Sequence, residues 1–351
     1  MGLLVFILIL AVVIVTHELG HFYTARRVGV RVLEFGLGYP PRLWSIIRGE
    51  TRYSLNLLPL GGFVKLEGEE DPSDPASLAA KRMPARLLVL ASGALMNALL
   101  PVLLFTLAVL IPQKVLVGGE GLQVSSVAAG SPAQVAGLQT GDTILAVDGR
   151  AVSAPEELQK AVEARLGQEL ALLLERPSVG QVEARLIPRA QPPPGEGPLG
   201  ISLDYARPIY ETRSYPPWEA VPNGIAATGR LVSAMFAGVG DMIGGREPAT
   251  VVGVIGMAQA TTEVARGGIH DILVWASIIS LSLAIINLLP IPALDGGRIA
   301  LLGLEAVRRK RLSPRSERLI HLIGFAVLLS FMFVVSYLDI ARLARGGNIL
   351  P

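Results

Sequence analysis

Thr16-His17-Glu18-Leu19-Gly20-His21 closes a run, beginning at Gly2, that is otherwise uncharged and almost wholly apolar. As a helix the run is long enough to span a bilayer. Ionisable side chains in such a span are costly unless they are paired or bound to a metal. Helical positions i and i+4 share a face, so His17 and His21 can aim imidazole nitrogens at one ion. Zn²⁺ takes such nitrogens at roughly 2.0–2.1 Å and, in a hydrolytic centre, keeps a position for water. Glu18 lies about 100° round the helix, off the ligand face but within reach of that water. It is expected to act as general base, taking a proton from water and passing one to a leaving amine.

Working outward, the whole chain of 351 residues is 51% hydrophobic and 17% charged, with a mean hydropathy of +0.51. That is too apolar for an ordinary soluble protein and too charged for one wholly in lipid, so a membrane part and a soluble part are both expected. There are no cysteines, which excludes disulfides and thiolate ligands. The net charge is +2, and no basic tract interleaves with aromatics, so no nucleic-acid partner is expected. The first segment lacks a positive n-region and a small-residue cleavage site, and is expected to remain as a span.

Four runs can cross a bilayer: residues 2–24, 87–111, 272–294 and 319–338. Pro101 is expected to kink the second. Arg26, Arg27, Arg31, Arg42, Arg48, Arg52, Lys81, Arg82 and Arg86 fall between the first two spans. Arg308, Arg309, Lys310, Arg311, Arg315 and Arg318 fall between the last two. Both connections are therefore expected in the cytoplasm, with the N-terminus and the long segment from Pro112 to about His270 outside. The lipid bilayer is a partner throughout, and the His17–His21 motif falls near its cytoplasmic side.

Between the first two spans, residues 32–67 hold short alternating runs about Pro and Gly residues, which reads as a β-hairpin. Non-helical backbone among membrane spans must be buried in protein or line a cavity. An edge strand there could pair with an extended substrate; the plainer alternative is a packed cytoplasmic hairpin.

Residues 113–207 read as an α+β unit. Ala136-Gly137-Leu138-Gln139-Thr140-Gly141-Asp142 precedes the strand Ile144–Val147, a helix over 155–166, strands over 170–175 and 182–187, a loop over 191–195, and Leu199-Gly200-Ile201. This order resembles a bacterial, circularly permuted PDZ domain. The resemblance implies that Leu199, Gly200 and Ile201 receive a peptide C-terminus; a domain that only blocks access is the alternative. Residues 218–244 could form an amphipathic helix on the membrane surface or a helix packed on the soluble unit, and Gly253–Gly256 a loop before the third span. The fold class expected is an α-helical polytopic membrane protein, with a membrane-associated β-hairpin and an inserted PDZ domain. The membrane metalloprotease part would occupy 1–111 and 268–351.

Two histidines leave zinc short of a protein ligand. His270 falls at the far end of the third span, and His321 is isolated at the start of the fourth, where a lone histidine is usually interfacial. The better candidate is Asp295, in Asn287-Leu288-Leu289-Pro290-Ile291-Pro292-Ala293-Leu294-Asp295-Gly296-Gly297. Its prolines break the third span and free backbone groups beside the carboxylate.

His17-Glu18-x-x-His21, Asn287-x-x-Pro290-x-Pro292, Leu294-Asp295-Gly296 and Gly93-x-x-x-Asn97 together resemble the site-2 protease family of intramembrane zinc metalloproteases, in its regulator-of-sigma-E protease (RseP) branch. The resemblance covers essentially the whole chain. It implies one Zn²⁺ per chain held by His17, His21 and Asp295, with Glu18 as the base. Asn287 would contact substrate or steady the oxyanion, and Asn97 would support the site. It also implies single-pass membrane protein substrates, such as anti-sigma factors and remnant signal peptides. That branch often carries two PDZ domains, whereas one is legible here. A membrane-tethered PDZ adaptor with an inactive metal site is the alternative; a metal transporter would want polar residues on several spans and gives a PDZ domain no role.

Overall fold

The run from Gly2 has no helix breaker, and it folds as one helix, α1 (Gly2–Arg27), in the computed structural model, which describes residues 2–69, 71–193, 196–245, 252–310 and 312–344. The elements that follow are β1 (Val32–Arg48), β2 (Thr51–Leu66), α2 (Met83–Leu110), β3 (Gln113–Val127), α3 (Pro132–Val135), β4 (Thr143–Val147), β5 (Arg150–Ala151), α4 (Pro155–Glu163), β6 (Leu170–Arg176), β7 (Gly180–Leu186), β8 (Ile201–Arg213), α5 (Pro217–Ile243), α6 (Val254–Val264), α7 (Ile269–Leu288), α8 (Asp295–Arg308) and α9 (Pro314–Ala344). They form two compact units, one of residues 1–111, 215–239 and 249–351, the other of 112–214 and 240–248. Of the residues singled out in the sequence, Pro194, Gly195 and Arg311 lie outside the described ones.

In the first unit α1, α2, α7 and α9 are long and apolar enough to cross a membrane. Their outward leucines and phenylalanines, Leu4, Leu99 and Phe333 among them, are exposed, as a lipid-facing surface requires. The first two helices cross closely. A Cβ on Gly20 would sit 2.4 Å from the Ser92 carbonyl oxygen, and the Thr24 and Ser92 hydroxyls are 2.7 Å apart. Small residues and hydroxyl contacts are what hold helices together where lipid removes the hydrophobic drive. α2 continues through Pro101. Pro101 has no N–H to give the carbonyl four residues back, and the freed Asn97 carbonyl accepts instead from the Ser280 hydroxyl of α7 at 2.8 Å.

Around the third span the structure departs from the sequence reading in three places. The third span stops at Leu288 rather than 294, because Pro290 and Pro292 cannot continue it. Asp295 then opens a separate helix, α8, where a connecting loop was expected. Gly253–Gly256 is not a loop, since α6 starts at Val254. Its first turn is capped from α9, where the fully buried Asp339 accepts from the Gly253 and Gly256 amides at 3.0 Å each. A carboxylate there complements the helix N-terminus. The start of α5 lies against α2. The Tyr215 amide bonds to Val109, and Gly224 lies against Val102 and Thr106 of α2.

The hairpin doubles back. The turn falls at Gly49 (φ 61°), and residues 42–48 pair antiparallel with 51–56. Residues 34–37 then meet 52–55 with both numbers rising, a parallel register, and meet 62–65 antiparallel. Four segments thus lie in the order 42–48, 51–58, 34–39, 62–66, and the last is an edge.

The second unit is a sheet ordered β7-β6-β4-β3-β8, with β5 on β4. Its core is Leu122, Val124, Ile144, Leu158, Val162, Leu170, Leu172 and Leu174, all buried. β3 and β8 pair from Val127↔Ile201 to Gln113↔Arg213, so the unit runs six residues past the expected 207.

Candidate metal centre

Helical spacing puts both imidazoles of α1 on one face, and the Pro-broken connection after α7 brings Asp295 to them. His17 Nε2 and His21 Nε2 lie 3.1 and 3.2 Å from Asp295 Oδ2, and 3.2 Å from each other. The three atoms form a nearly equilateral triangle. The edge of a tetrahedron with metal–ligand bonds of about 2.05 Å is roughly 3.3 Å, so the triangle matches one face of such a tetrahedron. Asp295 Oδ2 is buried and accepts no hydrogen bond.

The second nitrogen of each ring fixes what the first presents. His21 Nδ1 lies 2.8 Å from the Val89 carbonyl. A carbonyl only accepts, so Nδ1 carries the proton and Nε2 turns a lone pair inward. The fully buried Asn97 places its Nδ2 3.5 Å from His17 Nδ1, and its Oδ1 has no hydrogen-bond partner. Turning the amide over would satisfy that oxygen with His17 Nδ1–H and leave His17 Nε2 to present a lone pair, as His21 Nε2 does. Two imidazole nitrogens and a carboxylate oxygen converging at this spacing are a donor set that zinc takes. His17, His21 and Asp295 are the metal-competent cluster among the described residues.

Room for the two rings depends on Gly93 of α2. A Cβ there would sit 2.3 Å from His21 Nε2 and 2.7 Å from His17 Nε2. Gly62 has the same relation to Glu18, whose Cγ would be 3.0 Å from an added Cβ. The edge segment therefore runs directly over the glutamate. Glu18, the three candidate ligands, Tyr39, residues 62–66, Glu69, Ala293 and Arg298 line one cavity of about 390 Å³.

Other expected site residues fall elsewhere. Asn287 is half-buried near the end of α7 and does not line this cavity. His270 Nδ1 faces the Ala108 carbonyl at 3.1 Å. His321, read from sequence as an isolated interfacial residue, accepts from the Ala293 amide at 3.2 Å through Nδ1. Leu199 and Ile201 line a separate groove of about 340 Å³ between β8 and α4, with Leu158, Val162 and Leu203; Gly200 (φ 72°) makes the turn between them. Sequence reasoning passed over Glu69 and Arg298. The Arg298 guanidinium donates to Glu69 at 2.5 Å, and Glu69 accepts from the Leu66 amide at 3.2 Å. The clasp ties the end of the edge segment to the helix that Asp295 opens. Its only sequence signal is an arginine one turn after Asp295.

The profile of peptidase family M50 matches residues 5–331. A Clostridium perfringens protein with a provisional zinc-metalloprotease name is 32% identical over 95% of this chain and 97% of its own. The zinc metalloprotease RasP of Geobacillus kaustophilus is 26% identical over 96% of this chain and 97% of its own. Among solved structures, the PDZ domain of an SdrC-like protein from Listeria monocytogenes is 26% identical, covering 25% of this chain and 93% of its own at a TM-score of 0.22.

Proposed function

This chain belongs to peptidase family M50, the site-2 protease family, and is a zinc metalloprotease; from that premise we propose that it hydrolyses peptide bonds within the transmembrane segments of single-pass membrane proteins. One zinc ion would be held by His17, His21 and Asp295. The observation that carries this reading is the triangle of lone-pair atoms, contributed by residues 17, 21 and 295. When bound, the ion supplies a water of lowered pKa and polarises the scissile carbonyl.

The chain's own residues do the rest. Glu18 takes the proton of the attacking water and returns it to the departing amine nitrogen. Asn97 keeps the His17 ring oriented, and the Val89 carbonyl keeps His21 in its tautomer. A transmembrane helix must unwind before its backbone can be cut, and segment 62–66 offers it a strand edge beside Glu18. Asn287, outside the cavity wall, would act on the substrate rather than on the metal. The cavity would open near the cytoplasmic leaflet, with the 113–213 unit on the other side of the membrane. The groove at Leu199, Gly200 and Ile201 would take a peptide C-terminus as a PDZ domain does. Substrates of the anti-sigma-factor or remnant-signal-peptide kind fit this arrangement.

The test is co-expression of the full chain with a tagged single-pass substrate. Glu18→Gln is expected to abolish cleavage while the purified chain keeps one equivalent of zinc. Cleavage by Glu18→Gln at the native rate would remove Glu18 from the mechanism. Loss of zinc with the activity would make it a ligand instead of a base.

A further inference from the structure

The connection that presents Asp295 is wound tightly and contains one residue in a conformation it disfavours. Ala293 has φ 81°, the left-handed region that non-glycine residues enter only when their surroundings impose it. The residue lines the cavity with Glu18 and the candidate ligands, two positions before Asp295. Its backbone amide donates to His321 Nδ1 at 3.2 Å. His321 belongs to the second turn of α9, a different membrane helix. One turn further on, Gly324 meets the same connection: a Cβ there would lie 2.3 Å from Pro292 Cβ and 2.5 Å from the Pro292 carbonyl oxygen. Two points on one face of α9 thus seat Pro292 and Ala293.

We infer that His321 is a positioning residue for the metal centre: its Nδ1, accepting from the Ala293 amide, holds the strained Pro292–Ala293 backbone in the one conformation that points the Asp295 carboxylate at His17 and His21. The inference rests on the reading of Asp295 as a ligand. The reasoning is geometric. Pro290 and Pro292 have no N–H to tie the connection down; the Leu294 amide reaches the Ile291 carbonyl at 3.2 Å across a turn that puts Ala293 where glycine is favoured, and the Ala293 amide is what anchors that strained turn to α9. Asp295 Oδ2 meets the two imidazole nitrogens only while the backbone before it stays wound. Metal sites accept ligand misplacement of only about 0.2 Å, so a small relaxation of this segment is felt at the ion. An amide donor requires an acceptor, so His321 contributes here as a neutral ring with Nδ1 unprotonated.

The test is zinc affinity of the purified full-length chain, by competition with a chromophoric chelator, for His321→Leu, His321→Asn and the double variant His321→Leu with Ala293→Gly. Leucine removes the acceptor. Asparagine restores an oxygen close to the place of Nδ1. Glycine adopts φ 81° without help. His321→Leu is expected to weaken zinc binding about tenfold or more, the range seen when an outer partner of a ligand is removed. His321→Asn should stay within about threefold of the native chain, and the double variant should recover most of the loss. Asp295→Asn run alongside separates the two readings. If it keeps native zinc affinity, the ligand assignment fails. If it loses zinc but His321→Leu does not, only the positioning role fails. If asparagine is as damaging as leucine, His321 acts by filling space, and the inference is overturned.

Discussion

Replacing Gly93, which does not line the cavity, with alanine should disable the metal centre. The added methyl would lie 2.3 Å from His21 Nε2, against the 3.4 Å at which ordinary contact begins, an overlap of about 1.1 Å. Two responses are open. α1 and α2 can move apart, but Gly20 on Ser92 and the Thr24–Ser92 hydroxyl pair hold them in close contact. Otherwise the imidazoles swing, which breaks the bond from His21 to the Val89 carbonyl and carries Nε2 about five times further than a metal site tolerates. Overpacking of this kind costs about 1–3 kcal/mol. At 1.4 kcal/mol per decade, that is roughly a 5- to 150-fold loss of zinc affinity. The assay is chelator competition on the purified chain, paired with cleavage of a tagged single-pass substrate. Gly303→Ala on α8 is the control. A Cβ there meets nothing within 4 Å, and the substitution should be neutral or stabilise by about 0.5–1 kcal/mol. Gly93→Ala holding zinc within twofold of the native chain and cutting at the native rate would refute the packing argument.

Two further outcomes are expected. Arg298→Gln and Glu69→Gln should each lower kcat/KM about tenfold with zinc content unchanged, and the double variant should be no worse than either, a coupling of about 1–2 kcal/mol; additive losses would show that the clasp does not act as a unit. In the soluble unit, Arg176 bonds both oxygens of buried Asp142 at 2.8 and 2.7 Å, and the Gln139 amide adds a third contact. These hold the Asp142 carboxyl below the usual carboxylate range. Its folded pKa is thus below its unfolded one, so the pair's stabilisation is complete above about pH 4 and fades as pH falls through the folded value. Hydrogen exchange across Gly137–Val147 in the full chain, corrected for intrinsic rates, should be flat from pH 7 to 5 and accelerate in stronger acid. Arg176→Ala should raise it already at pH 7, and an unchanged profile would remove the pair from the stability of this unit.

Local periodicity made much of this protein legible. Four apolar runs name the spans, and the i, i+4 spacing of His17 and His21 places both rings on one helical face whatever surrounds them. Asp295 was also within reach of the sequence, because a carboxylate beside Pro290 and Pro292 at the end of a span calls for a partner. The turn at Gly49 went unnamed in the sequence, since proline and glycine at 38–41 and 59–62 mark bends as strongly as Gly49 does. The parallel pairing of 34–37 with 52–55 leaves no mark in either run.

Sequence by itself determined which side chains share a helical face, because that follows from 3.6 residues per turn within one element. Only the tertiary structure decided that α8 exists as a separate helix, that Gly93 is the space the imidazoles occupy, that Arg298 meets Glu69, and that His321 reaches Ala293. Each of these joins residues distant along the chain. The energy of such a contact depends on how helices cross and where a broken backbone comes to rest, and no local pattern records that.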